Sequence, residues 1–246
     1  MQCYVPESLS VLLKKYANEP IQADILAEDI KSFSWLLPCL AHDFTSASNV
    51  DWLREKFVHF SSGKMSIRKI EKLNGKLRGL PRSMNDGLRS TIAWVGGPTA
   101  IHANYVPPSP DLLPGFMKEF VGTCNNLCGD QSMATNVIIF AWFLLMHPFE
   151  DGNGRTSRVI FASLCRSSHL ANPSILLCLI WMYRSDAIHF TGALQKICVD
   201  DDWTPYLSLW SQGFDAVRDL SQKICCPEFL AIHSLDTIVR MVRNCK

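Results

Sequence analysis

VIIFAWFLLM-HPFEDGNGRTSR, residues 137–158, decides how the rest of the chain is read. The ten residues from Val137 to Met146 are all apolar, so a helix there has no solvent face and must be covered on every side. The twelve that follow hold a histidine, two carboxylates, a Gly-Asn-Gly turn and two arginines three apart. A second apolar-rich segment, Val159 to Leu164, leads out of them. A polar loop between two buried helices is where a helical protein places chemistry.

Outward from that centre the pattern is helical. Ser8 to Tyr16 and Ala23 to Leu40 carry apolar positions at helical spacing, with Pro38 interfering near the end of the second. Ser48 or Asn49 is placed to cap a short helix around Val50 to Phe60. Ser66 opens a helix with Ile67, Ile70, Leu73 and Leu77 along one face and basic residues on the other, ended by Gly79-Leu80-Pro81. Pro110 to Cys124 reads as a helix with Leu112, Leu113, Phe116, Phe120 and Val121 inward. Ser132 to Met146 is the buried helix, and Thr156 to His169 the next. Helices over Ser174 to Tyr183, Asp186 to Cys198, Trp203 to Leu220 and Pro227 to about Val242 complete the set. One segment breaks the pattern. Two β-rich stretches, Ser90 to Val95 and Ile101 to Val106, flank Gly96-Gly97-Pro98 and read as a hairpin. An isolated hairpin is marginal unless it packs on something. It is either a surface decoration or a flap whose edge pairs with an extended peptide. The fold class expected is mostly α with one β-hairpin.

Composition narrows the function. About half of the 246 residues are apolar, enough for a sizeable core, and a formal charge of +1 gives no electrostatic footprint for nucleic acid or an acidic membrane. The ten cysteines form no zinc-type pairs; the Cys124/Cys128 spacing lacks partners, and the Cys225-Cys226 doublet chelates poorly. They read as reduced, buried thiols. No basic-then-apolar leader is visible, and the longest apolar run is ten residues, short of the ~20 of a membrane span. The expectation is a cytoplasmic protein, or one delivered to a host cytoplasm as an effector.

The loop supplies the chemistry. Gly152-Asn153-Gly154 lies where a loop enters a helix, whose first amides have no internal partner and carry the positive end of its dipole. Such a turn is an anion nest suited to phosphate. Arg155 and Arg158 share one helical face just beyond it, and two guanidinium forks suit two further phosphates. Asp151 at the lip would repel a phosphate unless a cation lay between them, and magnesium fits that place. His147 ends the apolar helix four residues earlier, where a neutral imidazole can take a proton from a hydroxyl. Phe149 reads as an anchor of the loop and Glu150 as solvent-facing. Singly, His147 reads as a helix-end histidine and the arginines as a surface pair; together they make a constellation.

The stretch matches HPFx[DE]GNGRxxR, the signature of the Fic family, at every specified position. The resemblance extends, less sharply, to Gly87-Leu88-Arg89 and the hairpin, Val106-Pro107-Pro108, Leu113-Pro114, Ala193-Leu194, Trp203 and Pro205, over roughly residues 65 to 215. It implies a Fic-like helical fold with a β-hairpin flap, as a domain over 65–215 between an N-terminal helical region over 1–64 and C-terminal helices over 216–246, and magnesium-dependent transfer of AMP from ATP to a Ser, Thr or Tyr hydroxyl of a target protein. His147 would be the general base and Asp151 the metal ligand. Gly152, Asn153 and Gly154 would form the anion hole, and Arg155 and Arg158 would hold the outer phosphates. The flap, represented by Ile92, Val95, Ile101 and Tyr105, would clamp the target by strand addition.

Three departures qualify what the resemblance implies. His189 and Phe190 stand where relatives often carry two tyrosines near the adenine, so the base is open. No glutamate has the context of the inhibitory [ST]xxxE[GN] motif, and in the region Ser32 to Leu37, Leu36 stands in the glutamate's place. That implies a separate antitoxin-like inhibitor or a constitutively active effector. Gly154 stands where phosphorylating relatives often carry lysine, which favours AMP. Transfer of UMP, phosphate or phosphocholine, and a non-catalytic nucleotide-binding scaffold, are the alternatives.

Overall fold

The computed structural model describes residues 3–19, 64–81, 87–127, 132–167 and 187–213. The helices expected over Ala23 to Leu40, Val50 to Phe60, Ser174 to Tyr183 and Pro227 to Val242 lie outside them, as do Leu36 and the cysteine doublet. Seven α-helices are described: α1 (Leu9–Tyr16), α2 (Ile67–Leu77), α3 (Leu113–Asn126), α4 (Met133–Met146), α5 (Asn153–Ser167), α6 (Ala187–Asp200) and α7 (residues 204–213).

The apolar run is the central element. Every residue of α4, from Met133 to Met146, is buried, and α1, α3, α5 and α6 lie against it. Ser132 caps its start, Oγ accepting the Thr135 amide at 3.2 Å. Trp142 lies parallel to Phe120 at 6.0 Å between centroids and edge-on to Phe116 at 5.7 Å. Elsewhere on α4, Phe140 meets Phe161 of α5, Phe190 of α6 and Trp210 of α7 at 5.1, 6.4 and 5.8 Å. Rings of this size each bury roughly 150–250 Å², and they dominate the cohesion of the bundle. Two core rings also tie the bundle through polar atoms: Trp142 Nε1 donates to Glu7 O at 3.0 Å and the Tyr206 hydroxyl to Val137 O at 3.2 Å.

α2 forms as its pattern dictates. The Ser66 hydroxyl accepts the Lys69 amide at 3.3 Å, Ile70, Leu73 and Leu77 are buried, and Gly79 follows the helix at φ +74°. On α3 the expected Leu113 and Phe120 are buried, with Met117 and Cys124 beside them, and Phe116 and Val121 pack partly buried against the core; Leu112 differs, belonging to a preceding 3-10 turn and exposed. α5 starts three residues earlier than the apolar pattern indicated, inside the Gly-Asn-Gly turn.

The expected hairpin is where the architecture departs most. Among the described residues the two β-rich stretches run antiparallel but meet at a single bridge, Val95 to Tyr105, closed by Val95 N–H to Tyr105 O at 3.0 Å and Asn104 N–H to Val95 O at 2.8 Å. Gly96 and Gly97, both at positive φ, make the turn, and a 3-10 turn at Ala100–His102 replaces the start of the second strand. The segment is an irregular loop anchored at its base. Among the described residues no helix is long and apolar enough to cross a membrane. Among the described residues Cys3, Cys124, Cys165 and Cys198 form no disulfide, and burial pushes the Cys124 and Cys198 thiols up to about 12.

Candidate active site

The loop leaves α4 through a backbone reversal at His147, φ +48° and ψ +61°, whose amide still donates to Phe143 O at 3.1 Å. A left-handed non-glycine residue costs about 1–2 kcal/mol and persists only where its surroundings enforce it. The next residue shapes the site. Pro148 has no N–H, so the Leu144 carbonyl has no helical donor four residues on. That carbonyl is taken instead by the His147 imidazole and by the Tyr105 hydroxyl at 3.1 Å. One ring nitrogen of His147 therefore donates to backbone, and the other is left to accept a proton. Burial first, and then the nearby Arg89 guanidinium, lower the imidazole from its ordinary 6.5 to about 4, so the ring is neutral at pH 7.

Phe149 is the loop's anchor. Its ring is buried against Phe143, and Asn153 clasps its backbone twice, Oδ1 accepting the amide at 2.9 Å and Nδ2 donating to the carbonyl at 2.7 Å. The Asn153 side chain is thus a staple; what the residue offers a ligand is its amide. Gly152 stands at φ +80°, and its carbonyl accepts the Thr156 amide at 2.9 Å, the first bond of α5. The amides of residues 153–155 precede that bond and open the helix.

α2 supports the loop from beneath. Asn74, buried on the otherwise apolar face of α2, donates to Asp151 O at 2.8 Å and to Thr156 Oγ1 at 3.1 Å. Arg155 Nη1 donates to Leu77 O at 3.1 Å and Nη2 to Asp151 Oδ2 at 3.0 Å. Arg78 Nε approaches the same carboxylate oxygen at 3.7 Å. The Asp151 side chain remains 64% exposed, open on the solvent side to a cation that phosphate oxygens and water would complete.

His147, Asp151, Gly152, Asn153, Gly154, Arg155 and Arg158 line one hollow of about 280 Å³, together with Glu150. Glu150 is exposed as expected and accepts a bond from the Thr91 hydroxyl at 2.9 Å, linking loop to flap. His189 and Phe190 are elsewhere. His189 is exposed at a separate hollow of about 760 Å³ between α6 and α7, and Phe190 is buried against Phe140 and Tyr206. The flap residues divide in the same way. Ile92 and Ile101 are exposed, at 59% and 84%, with Trp94 beside them, and Val95 is half-buried. Tyr105 is buried, because its hydroxyl serves the Leu144 carbonyl, so its side chain does not face a docking partner. Tyr105→Phe should cost about 1 kcal/mol in urea unfolding, the net worth of one hydrogen bond.

Sequence reasoning gave no site role to Asn74, Arg78 or Arg89. Asn74 left a trace, as a polar residue on an apolar helical face. Nothing local marks the other two.

Residues 64–165 match the family model described as the Fic/DOC family. Curated relatives named "Protein adenylyltransferase Fic" are similar to this chain: those of Drosophila grimshawi and Drosophila willistoni are each 26% identical over 160 residues, covering 64% of this chain and 30% and 29% of their own lengths. That of Culex quinquefasciatus is 35% identical over 81 residues, 31% of this chain and 14% of its own. The chain spans less than a third of the length of these relatives.

Proposed function

With residues 64–165 belonging to the Fic/DOC family, we propose that this Fic-type transferase moves AMP from ATP to a hydroxyl of a target protein. The observation that carries the reading is the convergence of a neutral imidazole, a helix-opening nest and two arginines on one hollow. In the proposed reaction the free nitrogen of His147 takes the proton of a Ser, Thr or Tyr hydroxyl. The oxygen attacks the α-phosphorus, the bond to the β-phosphate bridging oxygen breaks, and pyrophosphate leaves. The amides at the start of α5 hold the oxygens on which charge develops. Arg155 and Arg158 hold the departing phosphates, Arg155 exchanging its bond to Asp151 for one to phosphate. Asp151 fits a magnesium ion, since its carboxylate is exposed at the rim and needs a new counter-charge once Arg155 turns away; the ion would neutralise the polyphosphate.

The exposed Ile92, Trp94 and Ile101 support docking of the target's segment on the flap. A partner that inhibits from outside, and action in a cytoplasm, own or host, belong to the same proposal, as do domain limits at 65–215. Incubating the chain and a protein mixture with ATP labelled at the α- or the γ-phosphate tests the direction. Protein-bound label is expected from α-labelled ATP alone, with an adenylyl mass shift. Label from γ-labelled ATP would replace the reading by phosphoryl transfer.

A further inference from the structure

Arg89 lies outside the signature, yet it touches the residue on which the proposed chemistry turns. Its guanidinium is buried, 3% exposed, and fans over three backbone carbonyls from three parts of the chain. Nε donates to His147 O at 2.7 Å, Nη1 to Thr91 O at 2.9 Å, and Nη2 to Pro108 O. Its own amide donates to Pro148 O at 2.9 Å. Thr91 and Pro108 are the two ends of the flap. The carbonyls of His147 and Pro148 bracket the exit from the left-handed turn. One side chain thus closes the base of the flap and ties it to the backbone that aims the imidazole.

We propose that Arg89 is a positioning residue of the transfer reaction, holding His147 in its left-handed conformation and fixing the flap's register against it. The inference rests on the reading of His147 as the proton acceptor. Its physical content is a division of labour. His147 adopts a conformation that costs energy on its own, and a planar fork with several donors in fixed directions is suited to enforcing it. A lysine has the charge but not the fork. The phosphate nest is built on other contacts: Asn74 to Asp151, Asn153 to Phe149 and Thr156 to Gly152. Loss of Arg89 therefore misplaces the base and the target's segment while the nucleotide's seat stays. The charged groups facing His147 are Arg89 from the flap, Glu150 and Asp151 from the loop, and Arg155 and Arg158 from α5, with Arg78 just past the end of α2 reaching Asp151; α4 brings no ionisable residue.

The test compares the full chain with Arg89→Met and Arg89→Lys for initial rate of label transfer from α-labelled ATP, for ATP affinity by calorimetry and for unfolding midpoint in urea. A misplacement of about 1 Å is worth on the order of 10²-fold in rate. The expected result is a fall in kcat of that size for Arg89→Met, an ATP Kd within about threefold of the parent, and partial recovery in Arg89→Lys. An Arg89→Met chain with parental kcat would overturn the proposal. So would an ATP affinity that falls in step with the rate, which marks a general loss of structure. If Arg89→Met does not fold, Arg89→Lys decides the matter, and parental kcat or a proportionate loss of ATP affinity there counts against the proposal in the same way. A parent chain that binds ATP but transfers no α-label would sink the transferase reading instead, and the two failures are told apart by the parent's own rate.

Discussion

His147→Ala should abolish label transfer from α-labelled ATP, by a factor of about 10²–10⁴, while leaving ATP bound within a few-fold of the parent affinity. The separation follows from the contacts. The imidazole is held by the Leu144 carbonyl, and none of the bonds that shape the nest passes through it. Alanine meets the same left-handed backbone demand as histidine, so the turn is not relieved. Retention of full transfer would turn the reading toward a scaffold. The pH dependence carries a second check. In the free chain the ring takes a proton near pH 4, so the acid limb of kcat/KM belongs well below the ordinary histidine value of 6.5. A bound polyphosphate brings several negative charges beside the ring and raises its proton affinity. The limb seen in kcat, which reports the bound state, should therefore lie above the limb in kcat/KM. The same depression bears on folding. The unfolded chain takes this proton near 6.5 and the native chain only near 4. Between those values the unfolded state binds more protons, and stability falls as pH falls through that window. Above 6.5 both states are neutral there and the group contributes no slope. In His147→Ala the stability-versus-pH curve should be flatter between pH 4 and 6.5 than in the parent.

The parts of this molecule that sequence predicts best are those whose causes are local. Ten apolar residues in a row leave α4 no alternative to burial, and Ser66 and Ser132 mark helix starts through bonds only three residues long. The signature loop is legible for the same reason: the Asn153 staple spans four residues. What escaped reading is held by contacts across the chain. Arg89 reaches His147 over 58 positions and Asn74 reaches Asp151 over 77, and neither leaves a periodicity. The flap failed as a hairpin on similar grounds. Its β-rich stretches satisfy their anchors through the Arg89 side chain and the Tyr105 hydroxyl, so a ladder is not what holds them. The roles of His189 and Phe190 follow from the resemblance alone; in α6, where consecutive residues stand about 100° apart, His189 falls on the exposed side and Phe190 on the buried one.

Gly152→Ala should damage both the fold and the nucleotide's seat. The residue stands at φ +80°, where a Cβ costs about 1–2 kcal/mol in backbone strain alone. The added methyl would lie 2.7 Å from Asn74 Nδ2 and 3.1 Å from Arg78 Cγ. A free surface side chain would swing away at little cost, but Asn74 is buried, and its amide is committed to Asp151 O and Thr156 Oγ1. Moving it breaks two hydrogen bonds, one buried and one partly so, worth about 1 kcal/mol each net. The sum is roughly 3–4 kcal/mol lost in urea unfolding, a large share of the roughly 5–15 kcal/mol typical of a domain. The functional effect comes from the same displacement. Asp151, Gly152 and the first turn of α5 would tilt away from α2 together, and the amides of residues 153–155 with them. ATP affinity should fall by more than about tenfold, unlike in the His147 and Arg89 variants, where it is expected to hold. Asn74→Ala relieves the clash, so Asn74→Ala/Gly152→Ala should be less destabilised than the sum of the two single variants. Simple additivity in that cycle would show that the methyl and the amide do not meet, and that α2 does not hold the loop through Asn74.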